Sequence, residues 1–244
     1  MRVIRSKSQR WRYWRYLQQR RLLLWLNLGF LFILGTGIVG AVTESSWAWI
    51  PLVLGFILLA GPFLTNLRGE VWLFQAGWRG ERAVTESLRG HLDDAFVLLN
   101  GFVLKGQSGD IDHVLIGPTG VFAIETKNHS GYVRCESDTW VRKPSRSARR
   151  YRQVTLRSPA KAVLQDTAAV LALLEKFGLD ITVTPIVVFS NPDVVLSLKR
   201  PLVRVLALSE LLPQITAAKT CLTGPEIDKV VSILTGQIAG HGGV

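Results

Sequence analysis

Two long apolar stretches without a charged side chain dominate the first third of the sequence. Residues 22–42 read LLLWLNLGFLFILGTGIVGAV, and residues 47–67 read WAWIPLVLGFILLAGPFLTNL. Each has about the length that crosses the apolar core of a bilayer as a helix. The four residues between them can form only a turn, so the pattern predicts a transmembrane helical hairpin. Buried helices of a globular domain and a cleaved signal peptide are the alternatives.

From residue 68 onwards the apolar positions follow shorter helix and strand patterns. Apolar residues recur at helical spacing over 79–92, and Ser158-Pro-Ala begins a second helix that Gly178 ends. Ser209 and Thr223 are the predicted N-caps of two final helices. Strand patterns occur at 95–106, 109–127, 131–143, 181–190 and 202–208. This order predicts an α/β domain with a mixed central sheet.

Charge is distributed unevenly along the chain. The net charge is +11, from 29 basic and 18 acidic residues. Residues 1–21 hold eight of the basic residues and no acid, and Glu44 is the one charged residue in 22–67. Residues 68–244 therefore keep 21 basic and 17 acidic residues, a net charge of +4. The positive-inside rule predicts a multi-pass protein of the inner cell membrane with both termini in the cytoplasm.

Aromatic residues are interleaved with the arginines of residues 1–21. They are Trp11, Tyr13, Trp14 and Tyr16. Aromatic rings prefer the headgroup level of a bilayer and arginines attract anionic lipid, so the sequence predicts a basic cytoplasmic arm that contacts the membrane. An arm that binds nucleic acid is the alternative.

The segment that begins at residue 109 reads GDIDHVLIGPTGVFAIETK and predicts a β-hairpin around its Gly-Pro-Thr-Gly turn. In this register the numbers of paired residues sum to 237. Asp112 then lies opposite Glu125, and Asp110 lies opposite Lys127. Alternation along the strands places all four side chains on one face of the hairpin.

Two acids that face each other across a hairpin repel, which destabilises the sheet. A divalent cation between Asp112 and Glu125 would remove this cost, and oxygen ligands favour Mg²⁺ or Mn²⁺. A solvated strand end, with Lys127 neutralising either acid, is the alternative. The apolar residues on the same face favour a covered site; they are Val114, Ile116, Val121 and Ala123.

This hairpin resembles the signature of the NERD (nuclease-related) domain, which is itself similar to the PD-(D/E)xK nuclease superfamily. The resemblance covers roughly residues 77–198. The letters GWRGE at 77–81 resemble the first helix of the family, and SPAKAVLQ at 158–165 resembles its later helix. The resemblance implies a restriction-endonuclease-like α/β fold. It also implies Mg²⁺- or Mn²⁺-dependent hydrolysis of phosphodiester bonds in DNA or RNA.

The resemblance also suggests roles for individual residues. Asp112 and Glu125 would hold the metal, with Glu81 as a further ligand, directly or through water. Lys127 would orient the attacking water and stabilise phosphoryl charge; whether it acts as a general base stays open. Gln165 would bond a ligand or phosphate. The alternatives are a helix N-terminal acid for Glu81 and an ordinary polar helix position for Gln165.

Three further polar residues lie near this face and are given structural roles. His113 falls on the opposite face of the hairpin and is predicted to be a structural histidine. His129 is predicted to be a loop histidine, although it lies close enough to Lys127 to reach the site. Asp110 is expected to pair with Lys127.

Residues 142–157 contain seven Arg or Lys residues and no acid. The pattern predicts a loop that binds nucleic-acid phosphates without reading sequence, with Tyr151 available for base stacking. The four central arginines are the expected contacts: Arg146, Arg149, Arg150 and Arg152. A solvated loop, or one that lies on anionic lipid, is the alternative.

The sequence thus predicts three parts. They are a basic arm at 1–21, two transmembrane helices at 22–67, and a NERD nuclease-like domain at 68–244 with its core at 77–198. The predicted function is a membrane-anchored, divalent-metal-dependent nuclease. A catalytically inactive module that binds nucleic acid or a protein partner at the membrane is the alternative.

Overall fold

The computed structural model describes residues 1–5, 14, 17–29, 31–32, 35, 72–105, 109–143 and 153–238. The chain divides into two compact units. One consists of Met1–Arg10 with Gly77–Val244, and the other of Trp11–Ala76. Gly77, where the larger unit resumes, is also the predicted start of the nuclease-like core.

The unit Trp11–Ala76 includes the segment predicted to form a transmembrane hairpin. Its described helical residues include 17–29, which we call α1. In the described part of the chain, no helix combines the length and the apolar composition needed to cross a bilayer. The prediction of a multi-pass membrane protein with both termini in the cytoplasm is therefore wrong, and the membrane anchor is unsupported.

Parts of this prediction lie outside the described residues. They are residues 30, 33–34 and 36–42 of the first predicted span, the turn at 43–46, and the whole second span at 47–67. Residues 6–13 of the predicted basic arm are also outside. The first residues of that arm are not a free arm, because Arg2–Arg5 forms a strand, β1, in the larger unit.

Among the described residues of the larger unit there are ten strands and four helices. The strands after β1 are β2 Val97–Phe102, β3 Ile111–Gly117, β4 Gly120–Lys127, β5 Gly131–Glu136, β6 Thr139–Lys143, β7 Val154–Leu156, β8 Val183–Phe189, β9 Val194–Lys199 and β10 Arg204–Ala207. The helices are α2 at 72–89, α3 Pro159–Lys176, α4 Leu208–Thr216 and α5 Gly224–Gly236. The first residues of α2 belong to the smaller unit.

The strands form two sheets. The main sheet has the order β1-β2-β3-β4-β8-β10 and is mixed. Its β2–β3 and β3–β4 pairs are antiparallel, and its other pairs are parallel. The second sheet has the order β7-β6-β5-β9. The prediction of an α/β domain with a mixed central sheet is confirmed. The sequence patterns did not predict β1, β7 or β9, nor the separate second sheet.

Helices and the second sheet cover both faces of the main sheet. One face carries Val114 and Ala123 and packs against α3, α5 and the buried side of the second sheet, including Trp140. The other face carries Leu115 and Ile124 and packs against α2 and α4. Burial on both faces explains why β8 is a near-continuous apolar run. It also keeps the ends of β3 and β4 within a region of low dielectric.

Helix α3 begins and ends as its sequence predicts. Ser158 is the N-cap, and its Oγ accepts a hydrogen bond of 3.1 Å from the backbone N–H of Lys161. Pro159 occupies the first turn. Gly178 follows the C-cap with a φ of 71°, a conformation that glycine adopts at little cost. The cap also places the start of α3 beside the second sheet, because Ser158 bonds Asp138.

Helix α2 lies close to the end of β4 at Gly80. A Cβ atom at this position would lie 2.7 Å from Ser190 Oγ, 2.9 Å from Asn128 Cβ and 3.3 Å from Thr126 Cγ2. The serine hydroxyl can rotate away, but a Cβ atom is fixed to its backbone. Gly80 therefore sets the distance between α2 and β4.

We predict that Gly80→Ala lowers the free energy of unfolding by about 1–3 kcal/mol, because the helix must shift away from β4. Gly77→Ala is the matched control in the same helix, since a Cβ there meets no atom within 4 Å. It should be neutral or stabilising by up to about 1 kcal/mol through helix propensity. Urea unfolding of both variants measures the difference. Equal stability of the two variants would contradict the close approach at Gly80.

Candidate functional site

The β3–β4 hairpin has the register that the sequence predicts. Gly117 pairs with Gly120 and His113 with Ile124. Both turn glycines are required by the geometry. A Cβ at Gly117 would lie 2.1 Å from the Phe96 ring, and Gly120 has a φ of 124°. One residue beyond the His113 pair, this register places the acids of the two strands opposite each other.

Asp112 is the acid on β3. Its Oδ2 accepts a hydrogen bond of 2.8 Å from the backbone N–H of Thr126. Burial, followed by the negative charges of Glu125 and Glu81, raises the pKa of Asp112 well above its ordinary value. The Thr126 hydrogen bond and the positive charge of Lys127 oppose this shift without offsetting it. Asp112 therefore binds a proton or a cation more readily than an isolated aspartate does.

Glu125 and Lys127 form an ion pair on β4. Glu125 is only 6% exposed, and the Lys127 ammonium donates a hydrogen bond to its Oε1. Burial and the nearby Arg157 lower the pKa of Lys127, but Glu125 and Asp112 outweigh them and raise it. Lys127 is therefore a cation. It can donate hydrogen bonds and stabilise negative charge, and it is poorly suited to accept a proton as a general base.

Glu81 lies close to Asp112. It follows Gly80, where α2 meets β4, and its negative charge contributes to the raised pKa of Asp112. The Thr85 hydroxyl, one turn later, donates a hydrogen bond of 3.0 Å to the Glu81 carbonyl. The structure thus brings Glu81 into the electrostatic neighbourhood of Asp112.

Helix α3 contributes Asp166 to this neighbourhood, which the sequence analysis missed. Burial, then the charges of Glu125 and Asp110, raise the pKa of Asp166 to about 7, with Lys127 opposing them. Gln165, the predicted residue, is exposed. The sequence signal that could have identified Asp166 is helical spacing. Asp166 lies three residues after Val163 and four before Val170, on the side of α3 that carries these buried residues, whereas Gln165 does not.

The two histidines have the structural environments that were predicted. His113 is fully buried on the opposite face, and its Nδ1 lies 2.7 Å from Asn100 Oδ1, which identifies Nδ1 as the donor. Burial lowers its pKa to about 3, so the ring is neutral. Burial, with the positive charges of Arg142 and Lys127, lowers the pKa of His129 to about 4.

The predicted nucleic-acid contacts Arg146, Arg149, Arg150 and Arg152 lie outside the described residues. Three basic residues flanking them are described: Arg142, Lys143 and Arg157. Arg142 donates hydrogen bonds to the carbonyl and hydroxyl oxygens of Ser130, at 2.8 and 3.2 Å. Arg157 is close enough to Lys127 to lower its pKa. Arg157 therefore adds positive charge near Lys127, and Arg142 adds it near His129. We refer to Glu81, Asp112, Glu125 and Asp166 together as the acid cluster.

The chemistry of the donor groups is compatible with a hard divalent cation. Within the ranges that the structure describes, no group of three or more His, Cys, Asp or Glu residues is arranged to hold a metal. Asp112 and Glu125 nevertheless supply carboxylate oxygens in a covered site, where their mutual repulsion favours a bound cation. Mg²⁺ commonly binds through one or two carboxylates, with water and substrate phosphate completing the shell. Two acids are therefore sufficient donors for Mg²⁺.

Comparison with known families agrees with this geometry. Residues 76–190 match the family described as NERD, nuclease-related domain. The matched segment holds Glu81, the acidic hairpin and Asp166. The match ends before β9, short of the predicted boundary at 198. The comparisons with curated proteins and with solved structures gave no significant match.

We predict that Asp166 makes the metal-free protein less stable as pH rises. The raised pKa means that the folded state holds a proton that the unfolded state has released, so stability falls between about pH 4 and pH 7. Asp166→Asn should flatten this fall in a series of thermal melts. The exposed Asp180→Asn is the control and should leave the profile unchanged. If Asp166→Asn showed the same dependence of stability on pH as the wild type, the Asp166 carboxyl group would not belong to the acid cluster.

Proposed function

We propose that this protein is a nuclease that hydrolyses phosphodiester bonds in DNA or RNA with the help of Mg²⁺ or Mn²⁺. The observation that carries the proposal is the pair of carboxylates at the open end of the β3–β4 hairpin. Asp112 and Glu125 share a covered site with a lysine ammonium inside a nuclease-related domain. Each feature alone occurs in proteins of many functions, but a covered acid pair with a lysine two residues beyond the second acid suits phosphoryl chemistry.

In this proposal Asp112 and Glu125 hold the divalent cation, and Glu81 supports it directly or through water. A bound divalent cation lowers the pKa of water and neutralises charge on a phosphoryl group. Lys127, held as an ammonium, stabilises the negative charge that develops on the scissile phosphate. Helix α3 places Asp166 beside Glu125. Gln165 faces solvent and is retained only as a contact for a substrate phosphate.

The metal part of the proposal predicts a thermal shift. Mn²⁺ or Mg²⁺ should raise the wild-type Tm, by an amount that reflects about 2.7 kcal/mol at one hundred times the Kd. Asp112→Asn and Glu125→Gln should abolish this shift. Asp112→Asn, free of metal, should melt at or above the wild-type temperature near pH 7, because it removes a charge that burial disfavours.

Glu125→Gln also leaves Lys127 without its ion pair, so its metal-free Tm is less informative. Glu175→Gln, an exposed acid on α3, is the matched control and should keep the shift. If the wild type shows no shift and both acid variants are strongly destabilised, the acids are structural. The alternative function, an inactive module that binds nucleic acid or a protein partner, would then be favoured.

The catalytic part predicts that Lys127→Ala separates metal binding from turnover. The variant should keep part of the metal-dependent Tm shift, because Lys127 is not a ligand. Hydrolysis of labelled DNA or RNA should fall about 10²–10³-fold, as when one oxyanion donor is removed. Parallel reactions in EDTA and with Glu125→Gln give the background rate. Wild-type turnover at that background rate would contradict the nuclease proposal.

A further inference from the structure

The second sheet has one buried and one open face. Val133, Cys135 and Trp140 point into the core, so alternate residues of the same strands point outward. The outward side chains surround an open depression of about 360 Å³. We refer to this surface as the outer platform, and its main residues are Tyr132, Arg134, Val141, Lys143, Ser197 and Lys199.

The outer platform exposes apolar groups in its middle. The Tyr132 side chain is 41% exposed, and Val195, its partner in the β5–β9 register, is 58% exposed. Tyr132 is also paired with Lys143 in the β5–β6 register. An open aromatic ring beside a lysine is the arrangement on which an unpaired base can stack while its phosphate is held.

The charge of the outer platform is positive. Arg134, Lys143 and Lys199 contribute three cations, and Glu136 contributes one negative charge. Glu136 accepts hydrogen bonds from Arg134 at 2.8 Å and from Lys199 at 2.6 Å. Lys143 has no ion pair within the described part of the chain. The surface therefore complements a polyanion, and Lys143 is free to contact one.

The outer platform begins next to the acid cluster. Strand β4 ends at Lys127, and β5 starts at Gly131 after a link of three residues. Arg142 on β6 holds this link through its hydrogen bonds to Ser130. His129, within the link, lies close enough to Arg142 and Lys127 for their positive charges to lower its pKa. A nucleic-acid strand that is bound at the carboxylates and extends along this link would reach Tyr132 and Lys143 first.

We propose that the outer platform binds single-stranded nucleic acid and holds the part of the substrate adjacent to the scissile phosphate. A base stacks on Tyr132, and the basic side chains bind the phosphates on either side of it. Single strands are favoured because a duplex keeps its base faces stacked on each other. The proposal rests on the proposed nuclease function, whose substrate class it narrows.

The test compares two double variants of the full chain. Tyr132→Ala with Lys143→Ala removes the exposed ring and the unpaired cation of the outer platform. Phe177→Ala with Lys176→Ala is the matched control, because Phe177 is 44% exposed and follows Lys176 at the far end of α3. An 18-residue helix is about 27 Å long, so this pair is remote from the platform.

Binding is measured by fluorescence anisotropy with a labelled single-stranded oligonucleotide in EDTA, so that hydrolysis does not contribute. The platform variant should raise the Kd about tenfold and reduce the log–log salt slope by about 0.7 for the lost phosphate contact. The control variant should bind as the wild type does. Circular dichroism melts of both variants verify that they are folded.

Each outcome decides the proposal separately from the nuclease function. A selective loss of affinity in the platform variant supports the platform. Equal affinity of both variants, or no binding by the wild type, overturns it. The turnover comparison of wild type with Glu125→Gln is independent of these results. If the wild type is an active nuclease and the platform variant binds the oligonucleotide with an unchanged Kd, the substrate extends from the carboxylates in another direction.

Discussion

The opposition of Asp112 and Glu125 across one hairpin is the constraint on which the site depends. Because strand side chains alternate with a period of two, a slip of one strand by one residue would turn its acid to the opposite face, away from the other acid. The Gly117–Gly120 turn prevents this slip, through the close packing of Phe96 and the positive φ of Gly120. The chemistry of the site therefore begins with turn geometry about five residues away.

The helices and the second sheet that pack on the main sheet determine the environment of Asp112 and Glu125. Helices cover both faces, so the acids interact in low dielectric, where like charges repel strongly. Helix α2 brings Glu81, and α3 brings Asp166. Lys127 offsets part of the resulting negative charge and becomes a firmly held cation. Asp112 and Lys127 thus shift each other's pKa, the lysine lowering that of the acid and the acid raising that of the lysine.

The sequence predicted the parts of this arrangement that depend on local periodicity. The hairpin register, the cap of α3 at Ser158 and the buried strand β8 all follow from neighbouring residues. The separate second sheet did not follow, because β5 pairs in parallel with β9, more than fifty residues away. Asp166 was missed because a resemblance favoured its neighbour Gln165. The long apolar stretches predicted a membrane hairpin from length and composition, and no described helix meets both requirements.

Strand β1 gives the main sheet an unusual folding problem. Arg2 pairs with Val97, so closing this edge requires two segments separated by 95 residues to meet. The entropic cost of loop closure grows only with the logarithm of loop length, so this pairing is thermodynamically tolerated. We expect it to form late in folding, because contacts between distant segments form slowly. Until β1 docks, β2 presents an unpaired edge able to pair with another chain. During synthesis β1 leaves the ribosome well before β2, so it stays without its partner strand until β2 has been made.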